Sequence, residues 1–160
     1  LPEAQVDRFL MKVLITYPDK NQEIEIINRM TTGEEIEVDT ILKPKDIMDM
    51  RSIVDNIYVD EKIKEYVTDI VYATRKPQDY KIDISHLIEY GCSPRASISL
   101  ITSAKANAFI NGHGYVSPDD VKIMAHNILR HRLILSYEAE AEEISTDDVI
   151  NQIINKIKVP

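Results

Sequence analysis

The sequence predicts a mainly α-helical fold, a bundle carrying one N-terminal strand and short connecting strands. Three observations carry that prediction. From Pro18 onward, apolar residues recur at the three-to-four spacing of an amphipathic helix face. Most of those stretches follow a helix-start signal, a Ser, Thr or Asp succeeded by Pro or acidic residues. The exception is Phe9 to Thr16, FLMKVLIT, a nearly continuous apolar run broken by one Lys. It is too short for a helix and carries β-branched residues, so it reads as a buried strand whose pairing partners are expected upstream.

The helical elements follow in order. Tyr17-Pro18-Asp19 leads into acidic residues and then Ile24, Ile27 and Met30, with Thr31-Thr32-Gly33 as the stop. Acidic residues in a first turn complement the positive end of the helix dipole. Gly33 to Thr40 is polar with alternating Ile36 and Val38, which fits a loop or a short hairpin. Lys43-Pro44 opens a helix bearing Ile47, Met50, Ile53, Val54 and Ile57, with Pro at a position whose N–H would go unused. Asp60 caps the next, with Ile63, Val67, Ile70, Val71 and Thr74 on one face. The connection from Lys76 to Gly91 is long, with a short strand expected near Ile82 to Ile84.

Ser93-Pro94 opens a helix bearing Ile98, Ile101, Ala104, Ala108 and Phe109, ended by Asn111-Gly112. Ser117-Pro118-Asp119-Asp120 opens another, bearing Val121, Met124, Ala125, Ile128 and Leu129. Ser145 or Thr146, before Asp147-Asp148, opens the last, bearing Val149, Ile150, Ile153, Ile154 and Ile157. Arg132 to Leu135 is a candidate short strand between these two helices. Such amphipathic stripes need one another to be buried.

Composition narrows the functional classes. With 160 residues, 44% of them hydrophobic, the chain can bury a core, and global disorder is excluded. A net charge of −8 repels a phosphate backbone, and the densest cationic run, Arg130-His131-Arg132, is too short for a nucleic-acid stripe. That argues against a helix-turn-helix DNA binder. One cysteine, Cys92, fits a reducing, cytoplasmic compartment. No apolar run approaches the roughly 20 residues of a membrane span. The start at Leu1-Pro2-Glu3, with no Met, leads to the expectation of a piece of a longer protein.

Three constellations could carry chemistry. In Pro2 to Phe9, PEAQVDRF, Arg8 stands just before the expected strand. Its guanidinium could reach past a sheet edge to a phosphate, or pair on the surface with Asp7 or Glu3. In Gly91-Cys92-Ser93-Pro94-Arg95-Ala96, Ser93 is the cap, Pro94 takes the first position and Arg95 falls in the first turn. A cation there opposes the helix dipole, so a bound anion would relieve the conflict; a solvated Arg at small cost is the alternative. In Arg130-His131-Arg132, cations at a helix C-terminus either stabilise the dipole or meet a partner. No metal site is expected: His126 and His131 are five apart, off one helical face, and His86 and His113 lack a ligand at suitable spacing. Cys92 has no second Cys or nearby His and reads as a core residue. No G-x-x-x-x-G-K-[ST] phosphate loop is present.

LPEAQVDRF resembles the segment after the sensor-1 strand in the MoxR branch of AAA+ ATPases. GCSPRASISL resembles that family's sensor-2 motif, and GYVSPDDVKIMAHNILRHRLIL its lid-closing helix and RHRL turn. The motifs stand in the family's order and span most of the chain; Cys92 replaces the usual Ala. The resemblance implies that residues 1–17 end an α/β core and residues 18–160 form the helical lid. It implies Arg8 as an arginine finger acting on a neighbouring subunit's ATP and Arg95 as the sensor-2 arginine. Ser93 and Pro94 would then flank the nucleotide, and Asp7 would hold Arg8 in place. Related magnesium-chelatase and MCM-like ATPases reposition the lid, which leaves Arg95 acting in cis or in trans. Further implications are ATP with Mg2+ in the full-length parent, ring assembly as a hexamer, chaperone-like remodelling of clients, and pairing with von Willebrand factor A-domain proteins. Neither Walker motif is in the chain, so it is expected to bind no cofactor and to be inactive alone. A non-catalytic helical interaction module, with Arg8 and Arg95 as ordinary surface residues, is the competing reading.

Overall fold

The computed structural model describes residues 2–33 and 37–160, and their fold is mainly helical. Its helices are α1 (Glu3–Val6), α2 (Lys20–Met30), α3 (Pro44–Asp55), α4 (Glu61–Ala73), α5 (Pro94–Ile110), α6 (Pro118–Leu129), α7 (Tyr137–Ala141) and α8 (Thr146–Lys156). Two three-residue-turn helices, Pro77–Tyr80 and Ser85–Leu87, fill the long connection after α4.

The local start signals act as expected. Asp19 accepts from the amides of Asn21 and Gln22, and Gln22 returns a bond to the Asp19 amide. Asp60 accepts from Lys62. Ser117 with Asp120, and Ser145 with Asp148, form reciprocal capping boxes that satisfy otherwise orphan amides. Each cap contributes about 1 kcal/mol.

The core lies among α4, α5, α6 and α8. Ile70, Leu100, Val121, Ile128, Leu129, Ile150 and Ile153 are fully buried there. Each large apolar side chain so buried stabilises the fold by roughly 1.5–3 kcal/mol. Helix α5 presents small residues to this core, Ala96, Ser99, Ser103, Ala104 and Ala108, which lets α6 pack closely against it. Ile98, expected on the buried face of α5, points to solvent instead.

Two expected strands are corrected. Residues Ile82 to Ile84 form no strand; Ile84 is a buried core residue, and strand β1 is Ile88–Tyr90. It pairs antiparallel with β2 (Ile134–Leu135), with a register irregularity between Ile88 and Tyr90. Phe9 to Thr16 is not a strand either: Phe9 and Leu10 form a bend and residues 11–19 run on irregularly. Its side chains are largely exposed, Ile15 at 93%. A strand exists only through a partner backbone, and no described segment pairs with this one. Helices α2 and α3 bury no residue completely, and Ile24, Ile27 and Met30 of α2 are exposed. Ile36, half of the expected alternating pair, lies outside the described residues. No described helix is long and apolar enough to cross a membrane.

Candidate functional site

The site is organised on the start of α5, whose position is fixed from beneath by the end of α4. A Cβ on Gly91 would lie 2.4 Å from the Thr74 carbonyl oxygen, so only glycine permits this approach. The buried Cys92 amide donates to Thr74 Oγ1 at 2.8 Å, and that hydroxyl donates to the Val71 carbonyl at 2.7 Å. Burial pushes the Cys92 thiol up to about 12, against a smaller opposing effect of the Thr74 hydrogen bond. It is therefore a neutral core group. Ser93 then adopts the extended cap conformation and accepts from the Arg95 amide at 3.3 Å. Pro94 occupies the first helical turn, and Arg95 projects from it with its side chain 56% exposed.

Asp7 meets this helix start from the other end of the sequence. Its carboxylate accepts from Ser93 Oγ at 3.1 Å, from Arg95 Nη1 at 3.2 Å, and from Arg132 Nε at 3.1 Å. Partial burial alone would raise the Asp7 pKa, but the bonds from Ser93, Arg95 and Arg132 together outweigh it and hold the carboxyl below its usual range. The anion that a cation at a helix N-terminus calls for is thus supplied within the chain. Asp7 was expected to hold Arg8; among the described residues its carboxylate makes no bond to that side chain. Arg8 sits in the turn after α1, with its amide donating to Gln5 O at 3.2 Å and its side chain exposed.

The three consecutive donors after α6 all turn back onto the N-terminal segment. Arg132, its side chain only 2% exposed, donates from Nη2 to the carbonyls of Asp7 at 3.2 Å and Phe9 at 2.6 Å. Its Nη1 donates to Leu10 O at 3.1 Å and to Ile128 O, and Nη2 also reaches Ser99 Oγ at 3.2 Å. Arg130 bonds both oxygens of Asp147 and donates to Lys12 O at 3.0 Å. His131 Nε2 lies 3.1 Å from Phe9 O, a carbonyl that can only accept, so Nε2 carries the proton facing it; burial lowers the pKa of this ring. The Lys12 amide completes the strap by donating to Asn127 O at 2.8 Å.

Sequence reasoning weighed these cations as dipole stabilisers or partner contacts and missed this intrachain role. The available signal was their number: one cation suffices for a helix end, and a bent apolar segment leaves carbonyls in need of donors. A cavity of about 290 Å³ beside the strap is lined by Asp7, Tyr90, Ser93, His131 and Arg132, among others. The structure also brings His86, Glu138 and Glu142 together, with donor atoms within 4.8 Å of one another, a juxtaposition that sequence spacing cannot reveal. All three are exposed.

The arrangement presents an exposed guanidinium, Arg95, bonded to the Asp7 carboxylate at the amide-rich end of a long helix, and a second exposed arginine, Arg8, next to Asp7 in the chain. Such groups bind and orient oxyanions, phosphoryl oxygens above all.

The AAA lid domain family matches residues 81–153. The chain is 40% identical to the chaperone MoxR1 of Mycobacterium tuberculosis, covering 100% of this chain and 42% of that protein. It is 35% identical to the YeaC protein of Bacillus subtilis, again over 100% of this chain and 48% of the relative. It is similar to a crystal structure from Cytophaga hutchinsonii assigned as an ATPase, with a TM-score of 0.94 and 42% identity over 100% of this chain and 49% of that one. The chain spans about half the length of the relatives it matches.

Proposed function

The chain belongs to the MoxR family of AAA+ ATPases and contains that family's lid domain, and from that premise we propose that Arg8 and Arg95 complete an ATP site whose nucleotide-gripping half lies elsewhere in the whole protein. The observation that carries this reading is the bridge through Asp7. It ties the turn bearing Arg8 to the helix start bearing Arg95, two positions 88 residues apart from Asp7 to Arg95. An arginine finger and a sensor have to be placed relative to one another, and a contact of this kind supports that reading.

In this reading residues 1–17 close the α/β core and residues 18–160 form the lid. Arg95, with the Ser93-Pro94 helix start beside it, donates to the phosphates of ATP. Arg8 reaches the γ-phosphate of a neighbouring copy in a hexameric ring and stabilises charge in the transition state. Fingers of this kind contribute on the order of 10³–10⁵ in kcat. Mg2+ accompanies the nucleotide, and its ligands belong to the rest of the protein, because Asp7 is already engaged by Ser93, Arg95 and Arg132. When Arg95 moves to a phosphate, Ser93 and Arg132 keep Asp7 satisfied. Turnover in the ring drives cytoplasmic, chaperone-like remodelling of client proteins, with a von Willebrand factor A-domain protein as partner.

The test uses the full-length protein. Arg8→Ala and Arg95→Ala are each expected to lower ATP turnover at least about tenfold with the fold intact. Mixing each variant with a Walker-defective subunit separates cis from trans action, since turnover restored in mixed rings marks action across the interface. Wild-type turnover in both variants would sink the assignment and leave a non-catalytic interaction module.

A further inference from the structure

We propose that Arg132 is a positioning residue that locks the Arg8 turn onto the lid helices, so that the finger moves only as the lid moves. This rests on the reading of Arg8 as a finger, while the mechanical part of it stands on geometry alone. A guanidinium has five N–H groups. Arg132 directs them at Asp7 Oδ1, at the carbonyls of Asp7, Phe9, Leu10 and Ile128, and at Ser99 Oγ. Six acceptors share the five N–H groups, three of them on Nη2, in a side chain almost wholly removed from water.

The distribution of those bonds is what matters. The carbonyls of Asp7, Phe9 and Leu10 bracket Arg8 on both sides, while Arg8's own amide is held by Gln5 O. The backbone of the turn is therefore pinned, while the Arg8 side chain is exposed. The same guanidinium bonds α6 through Ile128 and α5 through Ser99, the helix that also carries Arg95. One planar group thus joins finger turn, sensor helix and lid helix. Lysine cannot replace it: an ammonium has three donors and no fork to span acceptors lying in different directions.

The test has two readouts in the full-length protein. Arg132→Gln should speed hydrogen exchange at the Phe9 and Lys12 amides at least about tenfold, with the core amides of α6 unchanged. It should lower kcat for ATP at least about tenfold while KM stays within about twofold, because binding groups remain and the finger is mislaid. The double variant with Arg8→Ala should be no slower than Arg8→Ala alone, since both changes remove one contribution. Arg132→Lys keeps the charge and the buried stem, so it covers a failure of Arg132→Gln to fold, and it should not rescue either readout. Unchanged exchange at Phe9 and Lys12 overturns the proposal whatever happens to turnover. Losses that multiply in the double variant overturn the link to Arg8. If Arg8→Ala itself turns over like wild type, the finger reading falls, and the exchange result alone decides the locking role.

Discussion

Replacing Gly91 with alanine should be among the most damaging single-methyl additions available to this chain. The added Cβ would sit 2.4 Å from the Thr74 carbonyl oxygen and 2.7 Å from both the Thr74 carbonyl carbon and Arg75 Cγ. Ordinary contact begins near 3.4 Å, so the two backbones must part by about 1 Å. Overpacking of this kind costs about 1–3 kcal/mol. Parting also stretches the buried Cys92 N–H to Thr74 Oγ1 bond, whose loss adds about 1 kcal/mol. The sum is about 2–4 kcal/mol, equivalent to a fall in Tm of roughly 6–12 °C for a chain of this size. Urea and thermal unfolding measure it directly. Gly114→Ala is the matched control, since its new Cβ meets nothing within 4 Å and the expected change is within about 0.5 kcal/mol. A Gly91→Ala variant as stable as that control would refute the close-approach argument.

Acid should weaken the fold through carboxylates whose folded pKa is depressed. Partial burial raises Asp147, but the bonds from Arg130 and His126 outweigh it and bring the carboxyl below its ordinary 3.8. The folded form then binds fewer protons than the unfolded one, so this stability is complete above about pH 5 and lost as pH falls through the folded value. Urea titrations from pH 7 to 3 should show that slope, and Asp147→Asn should flatten it; an unchanged slope in the variant counts against the assignment. Cys92, buried and with its thiol pushed up to about 12, should resist labelling by a disulfide reagent in the native chain and react once urea unfolds it. Native labelling as fast as a small free thiol would contradict its placement.

Helix starts were legible because a cap is a local object. Asp60, Ser93, Ser117 and Ser145 each bond amides two or three residues on, and nothing distant is needed to recognise them. The stripes of α4 and α8 were legible for the same reason: their apolar positions repeat with the helix and are buried together. Of the strands, β2 lies within the expected Arg132 to Leu135, whereas β1 was not legible, because it owes its existence to Ile134 and Leu135, far along the chain. The apolar run after Arg8 has strand composition without a strand partner among the described residues. Small residues misled the reading of α5, where Ser99 and Ser103 face the core and Ile98 does not. At the site, the motif residues Ser93, Pro94 and Arg95 could be found by local electrostatics. Arg132 could not, since its acceptors on Asp7, Phe9 and Leu10 lie more than a hundred residues away.

That arginine has one more consequence, for solubility. An apolar extended segment with bare carbonyls is the kind of template onto which another chain can add itself as a strand. Here the carbonyls of Asp7, Phe9, Leu10 and Lys12 and the amide of Lys12 are already taken by side chains or by the end of α6. The two arginines and the histidine do the hydrogen bonding that a neighbouring strand would do, but they cannot be extended into a growing sheet. Up to Lys12 the run keeps a strand-like sequence with these backbone groups closed to a copying edge.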